Sequence, residues 1–192
     1  MNSLLIAIWL VAGSVGGEII DRMVGVVNNH LITQSDLRME RSIQAILDKP
    51  ATKNDKEILR ELIDVHLIDE QISQFPGIEI STAEVAAELG RHQNLNGVSQ
   101  ERLREAIVVR LRRAEFFRIR FVQFIRPTDD EVLQYYKSIF VPAAEKSGLQ
   151  PVPAMESIVD QVRSNVINEK LSLEVERWLE AIRKRSSIEI LE

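Results

Sequence analysis

Strand-forming sequence falls at only two places in this chain, one near each end, and that placement limits the possible folds more than any other feature. Residues 23–27 (MVGVV) and 31–33 (LIT) are apolar or β-branched, and Asn28 and Asn29 between them tolerate the positive φ of a tight turn. They are expected to form a hairpin. The second signal is the tail Ile188, Glu189, Ile190 and Leu191. A lone terminal strand is not stable without a partner, so it is expected to pair with the hairpin and make one domain from the two ends. Between them the sequence reads as helix. The expected fold is mainly α, with a small β-sheet formed by the N-terminal hairpin and the C-terminal strand.

The helices announce themselves by caps and stripes. Ser35 is expected to cap a helix with Asp36 in its first turn, running to about Leu47 before Pro50. From residue 53 to 75, Ile58, Leu62, Val65, Ile68, Ile72 and Phe75 recur at three and four spacing, a buried stripe ended by Pro76 and Gly77. Ser81 with Glu84 fits a capping box and opens a helix expected to reach residues 94–97. Ser99 caps the longest arginine-rich helix, with Leu103, Ile107, Leu111, Ala114, Phe117, Phe121 and Phe124 on its stripe and Pro127 at its end. Thr128 with Glu131 is a second box, opening the helix of Tyr135 and Tyr136. A last helix runs to about Arg185, with Met155, Val159, Val162 and Val166 on one stripe. Ile167, Leu171, Val175, Trp178 and Ile182 continue it in a rotated phase.

Between these last two helices lies FVPAAEKSGLQPVPAME, with three prolines and a glycine. Proline lacks a backbone donor and fixes φ, so Pro142, Pro151 and Pro153 cannot all lie inside one helix. Residues 141–153 are expected to be an exposed, mobile linker.

Residues 1–17 combine an apolar run from Leu4 to Val11 with small residues up to Gly17, ahead of the first charge at Glu18. That is the pattern of a signal peptide, cleaved near Gly17; a retained anchor is the alternative. Beyond it nothing is apolar enough to cross a membrane. The 192 residues include no cysteine, which excludes disulfides and thiolate metal sites, and His30, His66 and His92 lack metal-ligand spacing. No cofactor is expected. None of the eight glycines leads into a lysine as a phosphate loop requires. The acidic pair Asp129 and Asp130 reads as helix-start charge, and His66 as a histidine at the edge of the core. The residues offer no catalytic site.

Residues 101–126 hold eight arginines against three glutamates, a balance of +5 in a chain of net charge -5, so the remainder carries -10. Arginine interleaved with phenylalanine can serve nucleic acid. The phenylalanines on the stripe are better explained as core, however, and the arginines as a solvated face beside acidic neighbours; no nucleic-acid partner is expected. Phe116 stands off the stripe, on a flank with Val109, Arg113 and Arg120. A ring framed by arginine stems suits a peptide-binding rim, because those stems are apolar along their length. Val109, Arg113, Phe116 and Arg120 are therefore candidate client-binding residues, with Tyr135 and Tyr136 beside the linker as the further candidates.

EIIDRMVGVVNNHLITQSDLR, GIEISTAEV, RPTDDEVLQYY and the tail IVDQVRSNVINEKLSLEVERWLEAIRKRSSIEIL together resemble the chaperone region of the SurA and parvulin-type foldase family of the bacterial periplasm. The likeness spans nearly the whole chain after the export segment. It implies a chaperone domain split into residues 18–140 and 154–192. In that family one or more prolyl-isomerase domains sit where this chain has only residues 141–153, too few to fold as a domain. What the resemblance implies is an ATP-independent periplasmic holdase without catalysis, binding unfolded polypeptides such as outer-membrane β-barrel precursors. The alternatives are a degenerate or partner-supplied isomerase and a membrane-anchored scaffold.

Overall fold

The computed structural model describes residues 21–47, 53–75, 77–92, 94–95 and 97–191. The expected signal peptide at residues 1–17, Pro50 and Pro76 lie outside the described residues.

Strands β1 (Met23–Val27) and β2 (His30–Thr33) form the hairpin, turned by Asn28 at φ 51°. Strand β3 (Ile188–Ile190) lies antiparallel on the other side of β1, giving the order β2-β1-β3. Gly25 faces Ile190 and Val27 faces Ile188 across that ladder. The two ends of the chain meet as expected, and the closure is doubled at the turn. Asn28 N–H donates to the Ser187 carbonyl at 2.7 Å, and Ser187 N–H donates to Asn28 Oδ1 at 3.0 Å. Gly25 suits a close approach: a Cβ there would stand 3.3 Å from both the Glu189 carbonyl oxygen and Leu59 Cδ1, so the neighbours would have to shift slightly.

Helix α1 (Gln34–Leu47) follows β2 directly. Its cap is Thr33 rather than Ser35, because the strand runs into the helix without a loop. Thr33 Oγ1 accepts from Asp36 N–H at 3.3 Å, and Asp36 Oδ2 accepts from Thr33 N–H at 2.8 Å. Helix α2 (Asp55–Ser73) is capped by Asn54 boxed with Glu57, and buries Ile58, Leu59, Leu62, Ile63, Leu67, Ile68 and Ile72. That face is wider than the expected stripe because the sheet, α1, α4 and α7 all pack on it. Helix α3 (Thr82–Gly90) opens at the expected Ser81–Glu84 box but stops at Gly90, short of residues 94–97.

Helix α4 (Gln100–Arg120), capped by Ser99, serves two cores. Leu103 and Ile107 pack with Val85 and Val98, while Phe116 enters the main core with α2 and α7. At about 100° per residue, Phe116 lies about 180° round from Ile107. A single stripe extended from Leu103 therefore points the last turns the wrong way. Ala114 is exposed, and Phe124 lies beyond the helix in a 3₁₀ turn, Val122–Phe124.

Helix α5 (Asp129–Tyr135), with its Thr128–Glu131 box, passes through a π turn at Tyr136–Phe140 into α6 (Val141–Lys146). The expected break at residue 141 is thus corrected: the first half of the 141–153 strip is helical, and Ala144 is buried. The π turn makes room for Pro142, since Val141 N–H reaches back to the Tyr136 carbonyl in a wider loop just before the proline. The helix stops at Gly148, φ 78°, where Gly148 N–H bonds Glu145 and Leu149 N–H bonds Ala144, the Schellman pattern.

Helix α7 (Met155–Arg183) joins everything. Val162 and Val166 pack on Val132 of α5, and Leu179, Ile182 and Trp178 pack in the main core. Arg163 and Lys170 reach Asp129 and Glu131 at 2.7 and 2.5 Å, fixing α5 along α7. No helix among the described residues is long and apolar enough to cross a membrane.

Candidate functional site

The structure separates the residues expected to form one binding rim. Phe116 is 2% exposed, with its ring 5.7 Å from each of Phe75, Phe117 and Trp178. The expectation of an exposed Phe116 and a buried Phe117 is corrected to the reverse order, because the main core lies on the flank that the stripe left outside. Phe117 is only partly buried against that core. Arg113 forks onto Asp69 of α2 at 2.6 and 2.5 Å, so it ties two helices together. Val109 lines a hollow of about 320 Å³ with Phe75, Ile78 and Arg112. Tyr135 and Tyr136 are partly buried against Val132, Val162 and Val166, and Tyr136 Oη donates to the Pro153 carbonyl at 2.9 Å.

Arg120 alone of the expected set lies in a larger opening. It borders a cleft of about 600 Å³ between the end of α4 and the middle of α7. One wall is Arg120, Phe121, Phe124, Ile125 and Arg126; the other is Lys170, Leu173, Glu174 and Arg177. The cleft follows from the architecture. The middle of α7 spans from the α5 contact to the main core, and the chain beyond α4 turns away in the 3₁₀ turn. Apolar side chains on both sides are left uncovered: Phe124 is 73% exposed and Leu173 52%.

Its charges are unevenly matched. Lys170 is paired with Glu131, and Arg177 with Glu174 at 2.9 Å. Lys170 holds the Glu131 carboxyl below its usual range, mainly through their hydrogen bond. Arg120 stacks its guanidinium over Phe121 and Trp178, 5.5 and 5.8 Å from the ring centroids. Arg126 donates to the Ile125 carbonyl at 2.9 Å. Neither arginine has an acidic partner among the described residues.

The histidines form a different feature. The His66 and His30 rings lie with centroids 3.7 Å apart, tilted by 37°, beside Asp69 and Glu70. Burial, then the neighbouring His30, pushes the His66 pKa down to about 4. Among the described residues no group of histidines and carboxylates is arranged to hold a metal ion.

A scan of protein-family models and a search of curated proteins return no match to this chain.

The sequence reading missed Phe124, Leu173 and Arg126. Phe124 falls on the expected buried stripe, though Pro127 two residues beyond Ile125 signals that the helix ends early. Leu173 stands off both stripes of α7 between Ser172 and Glu174, the mark of an apolar residue facing outward.

Proposed function

We propose that this protein is an ATP-independent holdase of the SurA-like kind, exported to the periplasm, that shields unfolded polypeptides without acting on them chemically. The observation that carries the reading is the cleft, with Phe124 and Leu173 held open to solvent on opposite walls. Covering both side chains with an apolar segment of another polypeptide would remove that surface from water, which is favourable. An open groove with apolar groups on both walls and long arginine side chains around them suits many extended segments at modest affinity, which is what a holdase requires. Of the motifs that resemble the family's chaperone region, RPTDDEVLQYY begins at Arg126 on one wall of this groove and the tail supplies the other wall. Of residues 141–153, where the family carries an isomerase domain, the first part forms α6 and the rest leads on to α7.

The test is dilution of a denatured outer-membrane β-barrel precursor into buffer without nucleotide, followed by light scattering. Suppression of aggregation at near-equimolar protein is expected, weakened by Phe124→Ser together with Leu173→Ser. Aggregation unaffected by the folded wild-type protein would overturn the reading. A prolyl-isomerase assay on a short proline peptide should give no rate above the uncatalysed one.

A further inference from the structure

We propose that the cleft selects among unfolded segments, favouring those in which an aromatic or aliphatic side chain is flanked by aspartate or glutamate; the proposal rests on the holdase reading above. Charge complementarity carries it. Arg120, Arg126, Lys170 and Arg177 border the cleft, and Glu174 is the sole carboxylate among its lining residues. Glu174 is already committed to Arg177, and Lys170 to Glu131. Two positive charges on the wall that carries Phe124 therefore have no carboxylate partner among the described residues.

Those two charges are held in place before any ligand arrives. Arg120 lies over the Phe121 and Trp178 rings, and Arg126 is tied to its neighbour's carbonyl. Holding a long side chain in position lowers the entropy lost when it pairs, which improves the return from an exposed ion pair. Spacing fits as well. Phe121, Phe124 and Ile125 share one short stretch, residues 120–126, with the two guanidinium groups that have no acidic partner among the described residues, so one bound ring and one adjacent carboxylate can both be met within a few residues of extended chain. A lysine-flanked segment would face the same arginines unpaired, and like charges brought together are unfavourable. The chain as a whole is net negative, at -5, so a preference for acidic ligands would have to come from this patch and not from general attraction.

The experiment compares three fluorescently labelled peptides, identical around a central Phe but flanked by Asp, Asn or Lys, binding to the full chain at low and high salt. Each exposed charge pair is worth a factor of about two to five, so the Asp peptide should bind at least about fivefold tighter than the Lys peptide, and salt should narrow the gap. Arg120→Glu with Arg126→Glu should reverse the order. Should that variant lose its helical circular dichroism, Arg126→Gln alone, at an exposed position, should reduce the preference severalfold. Equal binding of the three peptides by folded wild type, or an Asp preference that persists in the folded reversal variant, would sink the proposal. If folded wild type protects the precursor from aggregation yet binds the peptides alike, the selection fails and the holdase reading stands. If it neither protects nor binds, both fall.

Discussion

Arg183 of α7 forks onto Asp64 of α2 across 119 residues of sequence, with Nε and Nη2 at 2.7 and 2.6 Å from the two carboxylate oxygens. The same guanidinium reaches Glu176 at 2.9 Å. Arg183 sits one residue from Ile182, which is in the main core, and immediately ahead of the chain's turn toward β3. The pair therefore fixes the register in which the end of α7 docks beside the sheet. Its side chains are 33% and 22% exposed, between the surface and buried limits. Arg183→Met should cost about 1 to 3 kcal/mol by urea unfolding, the range between exposed and buried pairs. Asp64→Asn should cost nearly as much, and the double variant much less than the sum. Additive losses would show that the two residues act separately.

Removing residues 187–192 should destabilise the fold beyond what an exposed tail would cost. The deletion takes away β3, both bonds between Ser187 and Asn28, and the bond from Leu191 N–H to the Val24 carbonyl. It leaves one edge of β1 unpaired. At about 0.5 to 1.5 kcal/mol for each net hydrogen bond, the loss should exceed about 2 kcal/mol. An unchanged melting temperature would refute the closure of the two ends.

Much of this fold is legible because it is written locally. The Ser81–Glu84 and Thr128–Glu131 boxes are four-residue signals and both stand where the sequence puts them. Asn28 and the isolated tail strand are local signals too, and the pairing of the ends follows from the lack of any other strand sequence. What was not legible depends on which neighbours a helix has. Phe116 and Phe117 differ by one position in sequence, and their order of burial is decided by α2 and α7 lying on a different face of α4 from α3. Pro142 read as a break because the π turn that admits it is a three-dimensional adjustment of the preceding turn. The cleft is illegible for the same reason: Phe124 and Leu173 come together only through the packing of α7 on two separate cores.

Phe116, Phe117 and Phe124 should therefore separate sharply when each is truncated to alanine. Phe116 fills the space between Phe75, Phe117 and Trp178, so Phe116→Ala should cost about 3 to 5 kcal/mol. Phe117 is partly buried, and its loss should be intermediate. Phe124→Ala should leave the unfolding midpoint within about 0.5 kcal/mol of wild type, as exposed positions do. Chemical denaturation of the three variants checks the order. A destabilising Phe124→Ala would mean that the ring is covered within the chain itself, and the cleft would lose its central apolar group.

The His66 environment predicts a pH dependence of stability with a defined sign. In the unfolded chain His66 takes a proton near its ordinary value of 6.5, whereas in the folded protein burial and the adjacent His30 hold it neutral down to about 4. Asp69 and Asp36 pull the other way and Arg113 adds to the depression. Between those two pH values the unfolded state binds more protons than the folded state, so unfolding free energy rises with pH. The contribution of His66 is complete above about pH 6.5 and is lost as pH falls toward 4. His66 is only about half buried, so solvent screens part of the effect and the slope should be shallow. Asp21 and Asp55, whose values are lowered from an ordinary 3.8, act below this window, whereas Glu115 and Glu131, lowered from an ordinary 4.5, overlap its lower edge in wild type and in a His66 variant alike. His66→Gln removes the titrating group while keeping a polar side chain of similar reach. Urea unfolding from pH 7 to pH 4 should show wild type losing stability as pH falls, with the variant losing less over the same range. Parallel curves for the two proteins would mean that His66 takes up its proton equally in the folded and unfolded chains, and that the contact with His30 imposes no charge constraint.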